Sequence, residues 1–342
     1  MEESMHALVG YGHHGKNERI QDLMCQACGK KFSVRRHTVL YRLKSRSEKV
    51  ALTLALLAEG MDVSALERVT GIKEGTLRTW LTRAGMHAEK LHTRFFQELI
   101  YGHIQLDELW ANFDHKGKEM WLWVATEAKS KLIPVIEMGP RTLDMAMEVV
   151  HALVGTMRPG CLPIFTTDGL KLYFYALTAH FGQWKKSDDG CKPVWQVATA
   201  LIYAQVKKII RRRRLVRVEH AMLLGEQQNL KDRLLSLGFS GRINTAFVER
   251  LNLTIRQGVS LLVRRTWGRA KYSPELKLHL LWWRSYYHFA RYHVSLRVEF
   301  SQPIERKGKQ IPCRYRSQTP SMAAGLATRR LAVIELINYP LP

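Results

Sequence analysis

Beginning near residue 100, apolar and polar positions alternate in Ile104-Gln-Leu-Asp107-Glu108-Leu-Trp110. Two further short apolar runs follow, Met120 to Thr126 and Leu132 to Met138. A period of two predicts strands, and three in succession predict an antiparallel start to a sheet. Pro134 predicts that the third strand is an edge or carries a bulge, since proline cannot donate to a ladder. The pattern then changes to a helical period from about Thr142 to Met157. Pro163-Ile-Phe-Thr-Thr-Asp168-Gly169 reads as a buried strand ending on an acid. A second helical stretch runs from Asn244 to Gln257, with Phe247, Leu251 and Ile255 on one face and Glu249, Asn252, Arg256 and, more loosely, Thr245 on the other.

Three antiparallel strands, a helix and a further strand, with acids in the first and fourth strands, is the order of the ribonuclease-H-like α/β fold. In that fold the first and fourth strands are neighbours, so Asp107 and Asp168 are expected to meet. Glu108, next along the strand, is expected to point to the opposite sheet face and not to be a ligand.

The N-terminal part has a different pattern. Residues 47–85 read as three short helices, the first with Ser47 as N-cap and Val50, Leu54 and Leu57 inward, the second opened by a capping box at Ser64-Ala-Leu-Glu67. Gly71 fits the turn, and Leu77, Trp80, Leu81 and Ala84 fall on the inward face of the third helix. This is a helix-turn-helix pattern, and the face bearing Lys73, Thr76, Arg78, Thr79, Thr82 and Arg83 suits a major groove. An ordinary three-helix bundle with a solvated face would read the same way. Ahead of it, Cys25-Gln-Ala-Cys28-Gly29 has the form of a zinc knuckle. Tetrahedral Zn²⁺ takes four ligands, and upstream there are only His6, His13 and His14. Either His13 and His14 complete a site with Cys25 and Cys28, or the chain begins inside an incomplete zinc ribbon, or the knuckle holds no metal.

Charge narrows the partner. The 342 residues carry a formal net charge of +23, with 53 Lys and Arg against 30 Asp and Glu. Residues 201–300 alone hold 20 of the bases and 6 of the acids. Clustered positive charge of this kind is the footprint of phosphate contact. The run Lys207, Lys208, Arg211, Arg212, Arg213, Arg214 and Arg217 is expected to track a DNA backbone as part of, or beside, the last core strand; a solvated charge run is the plainer alternative. No apolar run is long enough to span a membrane and the first residues lack the order of a signal peptide, so a cytoplasmic protein is expected. Cys161, Cys191 and Cys313 read as structural or incidental.

Attack on a phosphodiester builds charge on the phosphoryl oxygens, and two hard divalent ions held by carboxylates stabilise it. Asp107, Asp168 and Glu249 are the expected types for two Mg²⁺ or Mn²⁺ ions, Asp107 bridging both. Taken singly, each acid could be an ordinary turn or surface residue; the fold order that brings them together is what favours the catalytic reading.

With these residues in view, the chain resembles bacterial insertion-sequence transposases of the DDE class, most closely the insertion-sequence-one-type group. The matching pieces are Leu106-Asp107-Glu108-Leu-Trp110, Thr167-Asp168-Gly169-Leu-Lys-Leu-Tyr173, Val248-Glu249-Arg250-Leu-Asn252 with Arg256-Gln257, and Arg264-Arg265-Thr266. The resemblance implies a zinc-ribbon-like segment over 1–45, a helix-turn-helix domain over 46–95, a ribonuclease-H-like catalytic domain over 100–300 with a basic insertion at about 185–240, and a basic C-terminal tail over 301–342. It implies binding of terminal inverted repeats, then two-metal-ion strand cleavage and transfer by Asp107, Asp168 and Glu249. Its implied partners are double-stranded DNA, as transposon ends and target, and a second copy of the chain in a homodimer or higher oligomer, associated with a bacterial nucleoid. Arg250, Asn252, Arg256, Arg264 and Arg265 join the expected DNA contacts. Beyond this helix Trp267, Trp282, Trp283, Tyr286, Tyr287, Phe289 and Tyr292 read mostly as core, residues 301–318 as a flexible arm, and Leu331 to Ile337 as a short docking helix. A decayed or domesticated DNA-binding regulator, and a nuclease of the same fold without strand transfer, remain as alternatives.

Overall fold

The chain begins with a small antiparallel sheet of β1 (Leu8–His14), β2 (Ile20–Cys25) and β3 (Lys31–Ser33), followed by helices α1 (Ser47–Ala58), α2 (Val63–Thr70) and α3 (Glu74–Phe95). This is seen in a computed structural model that describes residues 7–111, 120–186, 192–212, 214–263, 273–300, 304–306, 308–311 and 315–341. Then come β4 (His103–Ala111), β5 (Met120–Glu127), β6 (Val135–Gly139), α4 (Leu143–Gly155), β7 (Ile164–Thr167) and α5 (Leu172–His180). A hairpin of β8 (Gly182–Lys186) and β9 (Pro193–Val197) leads to β10 (Ile202–Arg211) and β11 (Arg214–Leu224). The chain continues through α6 (Gln227–Ser236), α7 (Ala246–Gly258), α8 (Ser273–Phe289), β12 (His293–Glu299), β13 (Ile304–Arg306), β14 (Lys309–Ile311), β15 (Tyr315–Gln318), α9 (Pro320–Ala323) and α10 (Val333–Ile337).

The central sheet is mixed and six-stranded, in the order β11-β10-β7-β4-β5-β6. As the alternation and turn signals predict, β4, β5 and β6 are antiparallel, and β7 lies parallel beside β4. Pro134 sits immediately before β6, which is an edge strand. The basic run expected as part of, or beside, the last core strand lies in two strands of this sheet: β10 pairs in parallel with β7 over Ile202 to Gln205 and then runs on, paired only with β11, as a hairpin.

Period-two alternation assigns the faces. Ile104 and Leu106 of β4, Trp123 and Ala125 of β5 and Phe165 of β7 pack under α4 and α5. On the other face Ile164, Ala204 and Val206 pack with Leu230 and Leu234 of α6, while Leu109, Leu122 and Val124 pack with Leu251 and Ile255 of α7 and with α8. Each face therefore removes a continuous apolar surface from water, which is the main stabilising term for such a layered domain.

The N-terminal helices share the second of these cores. Leu54, Leu57, Leu77, Trp80 and Leu81 lie in one cluster with Trp282, Trp283 and Tyr287 of α8. Backbones approach closely at the junction: a Cβ on Gly85 would stand 2.4 Å from the carbonyl oxygen of Leu278, and one on Gly60 would stand 2.1 Å from that of Gln257. Trp282 and Trp283 are fully buried and Tyr286, Tyr287 and Phe289 nearly so, as expected of core, whereas Tyr292 is half exposed; Trp267 lies outside the described residues.

Three local expectations change. Helix α1 begins at Ser47 with Arg46 in the N-cap position, and the Ser47 hydroxyl donates to Glu18 at 2.8 Å instead of capping the helix. Helix α2 is capped by Asp62, whose side chain accepts from the Ala65 amide at 2.6 Å. Ser64 lies inside the helix with its hydroxyl on Glu74, and Glu67 accepts from the Glu74 amide at 3.1 Å, so the pair fastens α2 to α3 instead of capping α2. The segment expected as a flexible arm forms hairpin β13–β14 within the β12–β15 pair. Helix α10 docks as expected, with Leu336 and Ile337 fully buried and the Leu336 carbonyl 3.2 Å from His87 Nε2. Among the described residues no helix is long and apolar enough to cross a membrane.

Candidate metal centre

Asp107 and Asp168 are the residues immediately after Leu106 and Thr167, the last paired positions of the parallel β4–β7 ladder. Two carboxylates 61 positions apart in the chain are thereby delivered side by side at one end of the sheet. This is the end where open α/β sheets place their ligands. Next along, β10 leaves β7 after Gln205 and carries Lys207 and Lys208 past the same end. Gly169, at φ +117°, lets the chain turn after Asp168, and a Cβ there would meet the Lys207 side chain at 3.1 Å.

A third carboxylate joins them. Glu108 is rooted on the α4/α5 face, opposite Asp107, as alternation requires. Yet one ligand oxygen each from Asp107, Glu108 and Asp168 lie within 4.8 Å of one another. The expectation that Glu108 stands apart fails because a side chain longer by one methylene, at the end of a strand, brings its head back to the rim of the sheet. Its carboxylate is 1% exposed and accepts from Arg141 at Oε2, 3.2 Å from Nε and 2.9 Å from Nη2.

Helix α7 crosses the other face and is fixed to β4 by side chain to backbone bonds. Gln105 Nε2 donates to the Asn244 carbonyl at 2.6 Å, and Gln105 Oε1 accepts from the Val248 amide at 3.0 Å. The buried stripe of α7 is Val248, Leu251, Asn252 and Ile255. That stripe is turned by one position from the expected face through Phe247, so Asn252 points inward. Its Nδ2 donates to Asp107 Oδ2 at 2.7 Å, and its Oδ1 is buried without a partner. Asn252, expected as a DNA contact, thus orients a carboxylate.

Glu249 lies on the same helix but outside the cluster. Its Oε1 accepts from Lys208 and, at 2.5 Å, from Thr245 Oγ1, and its side chain is 41% exposed. Arg256 donates to the carbonyls of Leu262 and Trp110, both at 3.1 Å, tying the end of α7 to the end of β4. Arg250, Lys207, Lys208, Arg211, Arg212 and Arg214 are exposed around this rim; Arg213, Arg264 and Arg265 lie outside the described residues.

The electrostatics match the crowding. Burial first, then the charges of Asp168 and Glu108, push the Asp107 carboxyl up to about 7. Burial likewise raises Glu108, opposed first by the Tyr173 hydroxyl and then by Arg141. Acids held this close repel unless protonated or neutralised by a cation. The set of oxygen donors is hard, which suits a hard divalent cation and not a softer metal.

The remaining expected site residues separate into two groups. On α3, Lys73, Thr76 and Thr79 are exposed and face outward. Arg78 is engaged with Glu74 and Glu275, and Arg83 donates to the Tyr41 carbonyl at 2.8 Å, so both are bound up in packing. The four expected zinc ligands do not assemble. Cys25 pairs with Leu8 at one end of the β1–β2 hairpin, while His13 and His14 pair with Gln21 and Ile20 at the other, some five strand residues or about 17 Å away. His14 is instead 2.9 Å from Asp22. His6, Cys191 and Cys313 lie outside the described residues, and Cys161 faces the Tyr101 carbonyl.

No protein-family model matches the chain, and no curated protein matches it.

Proposed function

We propose that the protein is a DNA transposase of the DDE class, with a ribonuclease-H-like core, that cuts and joins DNA at the Asp107, Asp168 and Glu249 end of its sheet. The observation that carries this reading is the pair of acids at the ends of adjacent parallel strands, crossed by a helix bearing a third acid and rimmed by lysines and arginines. Asp107 and Asp168 would hold divalent ions, with Glu249 completing the set once released by Lys208. When bound, such ions neutralise charge on the phosphoryl oxygens and activate the attacking hydroxyl or water.

The chain's own residues supply the remainder. Asn252 keeps Asp107 oriented. Lys207, Lys208 and the arginines of the β10–β11 hairpin attract the phosphate backbone and hold it over the rim. Helix α3 presents Lys73, Thr76 and Thr79 for the DNA end, as the second helix of a helix-turn-helix would. Two copies acting on paired ends, in a bacterial cytoplasm and at the nucleoid, complete the proposal. The β1–β3 sheet with Cys25 and Cys28 stays in it as a ribbon-like end-binding segment, without the His13 and His14 ligands.

The test is a labelled duplex bearing the sequences that flank the gene, incubated with protein and Mg²⁺ or Mn²⁺. Metal-dependent nicking at defined positions, followed by joining to a second duplex, supports the transposase. Nicking without joining would favour a nuclease, and tight binding without either would favour a DNA-binding regulator.

A further inference from the structure

We propose that Glu108 is itself a ligand of the divalent-cation centre, presented to it by Arg141 and Tyr173. This role rests on the metal-dependent reading of the site and adds a residue that strand alternation alone would assign elsewhere.

The carboxylate is almost wholly buried, at 1% exposure, and one of its oxygens is fully engaged with Arg141. Arg141 is held in turn with its guanidinium 4.9 Å from the Trp121 ring centroid, so the carboxylate is fixed in direction. Its second oxygen, Oε1, is buried and makes no hydrogen bond of good geometry.

An independent observation comes from α5. The Tyr173 side chain is fully buried at the same place, T-shaped against Trp123 at 5.6 Å, and its hydroxyl lies within interaction range of the Glu108 carboxylate without a hydrogen bond of good geometry. It is close enough to feel Glu108, Asp107 and Asp168. Orphaned buried polar atoms are rare in folded proteins and call for an explanation such as an ion or water. Two of them side by side, one a carboxylate oxygen and one a hydroxyl, facing two further carboxylates, fit a hydrated cation. Oε1 would supply a ligand, and the Tyr173 hydroxyl would meet the ion's water.

Oxygens sharing one Mg²⁺ at about 2.1 Å are at most about 4.2 Å apart; one oxygen from each carboxylate already lies within 4.8 Å of the others, so a small side-chain adjustment brings all three to one ion. A role confined to an ion pair with Arg141 would account for Oε2 and leave Oε1 with no more than the loose approach of the Tyr173 hydroxyl.

The experiment is a Mn²⁺ titration of the full chain without DNA, followed by electron paramagnetic resonance, on wild type, Glu108→Gln, Tyr173→Phe, Asp107→Asn and Asp168→Asn. Thermal melts without metal accompany it. Glu108→Gln is expected to raise the Mn²⁺ Kd at least about tenfold, as is Asp168→Asn. Its metal-free melt should not fall, because a crowded buried charge is removed. Tyr173→Phe keeps the ring packing and is expected to weaken Mn²⁺ several-fold without lowering the melt. Should Glu108→Gln and Tyr173→Phe bind Mn²⁺ within about twofold of wild type while Asp107→Asn and Asp168→Asn lose it, Glu108 is only a structural partner of Arg141. Mn²⁺ binding that none of the four variants alters overturns the metal-centre reading along with this one. DNA cleavage is a separate readout, and its failure with Mn²⁺ binding intact would count against the transposase alone.

Discussion

Asn252 on α7 donates to Oδ2 of Asp107 on β4 at 2.7 Å, joining residues 145 positions apart in the chain. The bond aims the acid at the rim and locks the helix that carries Glu249. Replacing Asn252 with Ala should destabilise the fold by about 1–3 kcal/mol, since a buried carboxylate loses its charge-assisted donor. Urea denaturation at pH 8 measures it, and a change below about 0.5 kcal/mol would show the bond to be incidental.

The raised Asp107 carboxyl gives a pH signature. Its folded value, about 7, lies above the unfolded value near 4, so the folded state holds the extra proton between those limits. Metal-free stability contributed by this group is complete below about pH 4 and is lost as pH rises toward 7. Asp107→Asn should therefore become more stable relative to wild type from pH 5 to pH 8. Denaturation midpoints of both proteins at the two pH values test this, and an unchanged difference would refute it. Because Mn²⁺ competes with that proton, wild-type Mn²⁺ affinity should rise with pH up to about 7 and then level off.

Lys208 is ion-paired with Glu249, which lies outside the cluster of the other acids. Lys208→Gln should free Glu249, so Mn²⁺ binding without DNA should strengthen. The same change should weaken DNA binding and reduce the salt slope of log K by about 1, as expected for one lost phosphate contact. Titrations at several salt concentrations give the slope, and an unaltered slope would remove Lys208 from the DNA path.

On α3 the outward and inward positions should separate in their effects. Lys73→Ala with Thr79→Ala is expected to weaken binding to the flanking DNA about tenfold with an unchanged melting temperature. Arg83→Ala should instead lower the melting temperature, because the Tyr41 carbonyl loses its donor. Gel-shift titration and thermal melts on the same preparations distinguish the two.

Much of this arrangement is legible in the sequence because its signals are local. Period-two runs mark β4 to β6, the helical period marks α4 and α7, and an acid closing each of two apolar strands marks Asp107 and Asp168. What escapes depends on contacts between distant segments. Alternation fixes where the Glu108 Cβ points, not where a long side chain at a strand end places its carboxylate. The polar stripe of α7 looks uniform in sequence, and only packing on β4 selects Asn252 for the interior and leaves Glu249 to Lys208. Asp62 and Ser64 both suit an N-cap, and the bond from Ser64 to Glu74 decides between them. The basic run marks a strand at the end of the core, but its pairing with β7 only over Ile202 to Gln205 and its return as β11 depend on contacts between segments.

The central claim is that Asp107 and Asp168 hold the ions that cut DNA. It is tested most directly by single-turnover cleavage of the flanking duplex with Asp168→Cys, in Mg²⁺ and in Mn²⁺. A thiolate is a poor ligand for Mg²⁺ and a better one for a softer ion. Wild type should cleave with either metal, and the variant should be inactive with Mg²⁺ and partly restored by Mn²⁺. Cleavage by the variant with Mg²⁺ at the wild-type rate, or by wild type in the presence of a chelator, would contradict the account.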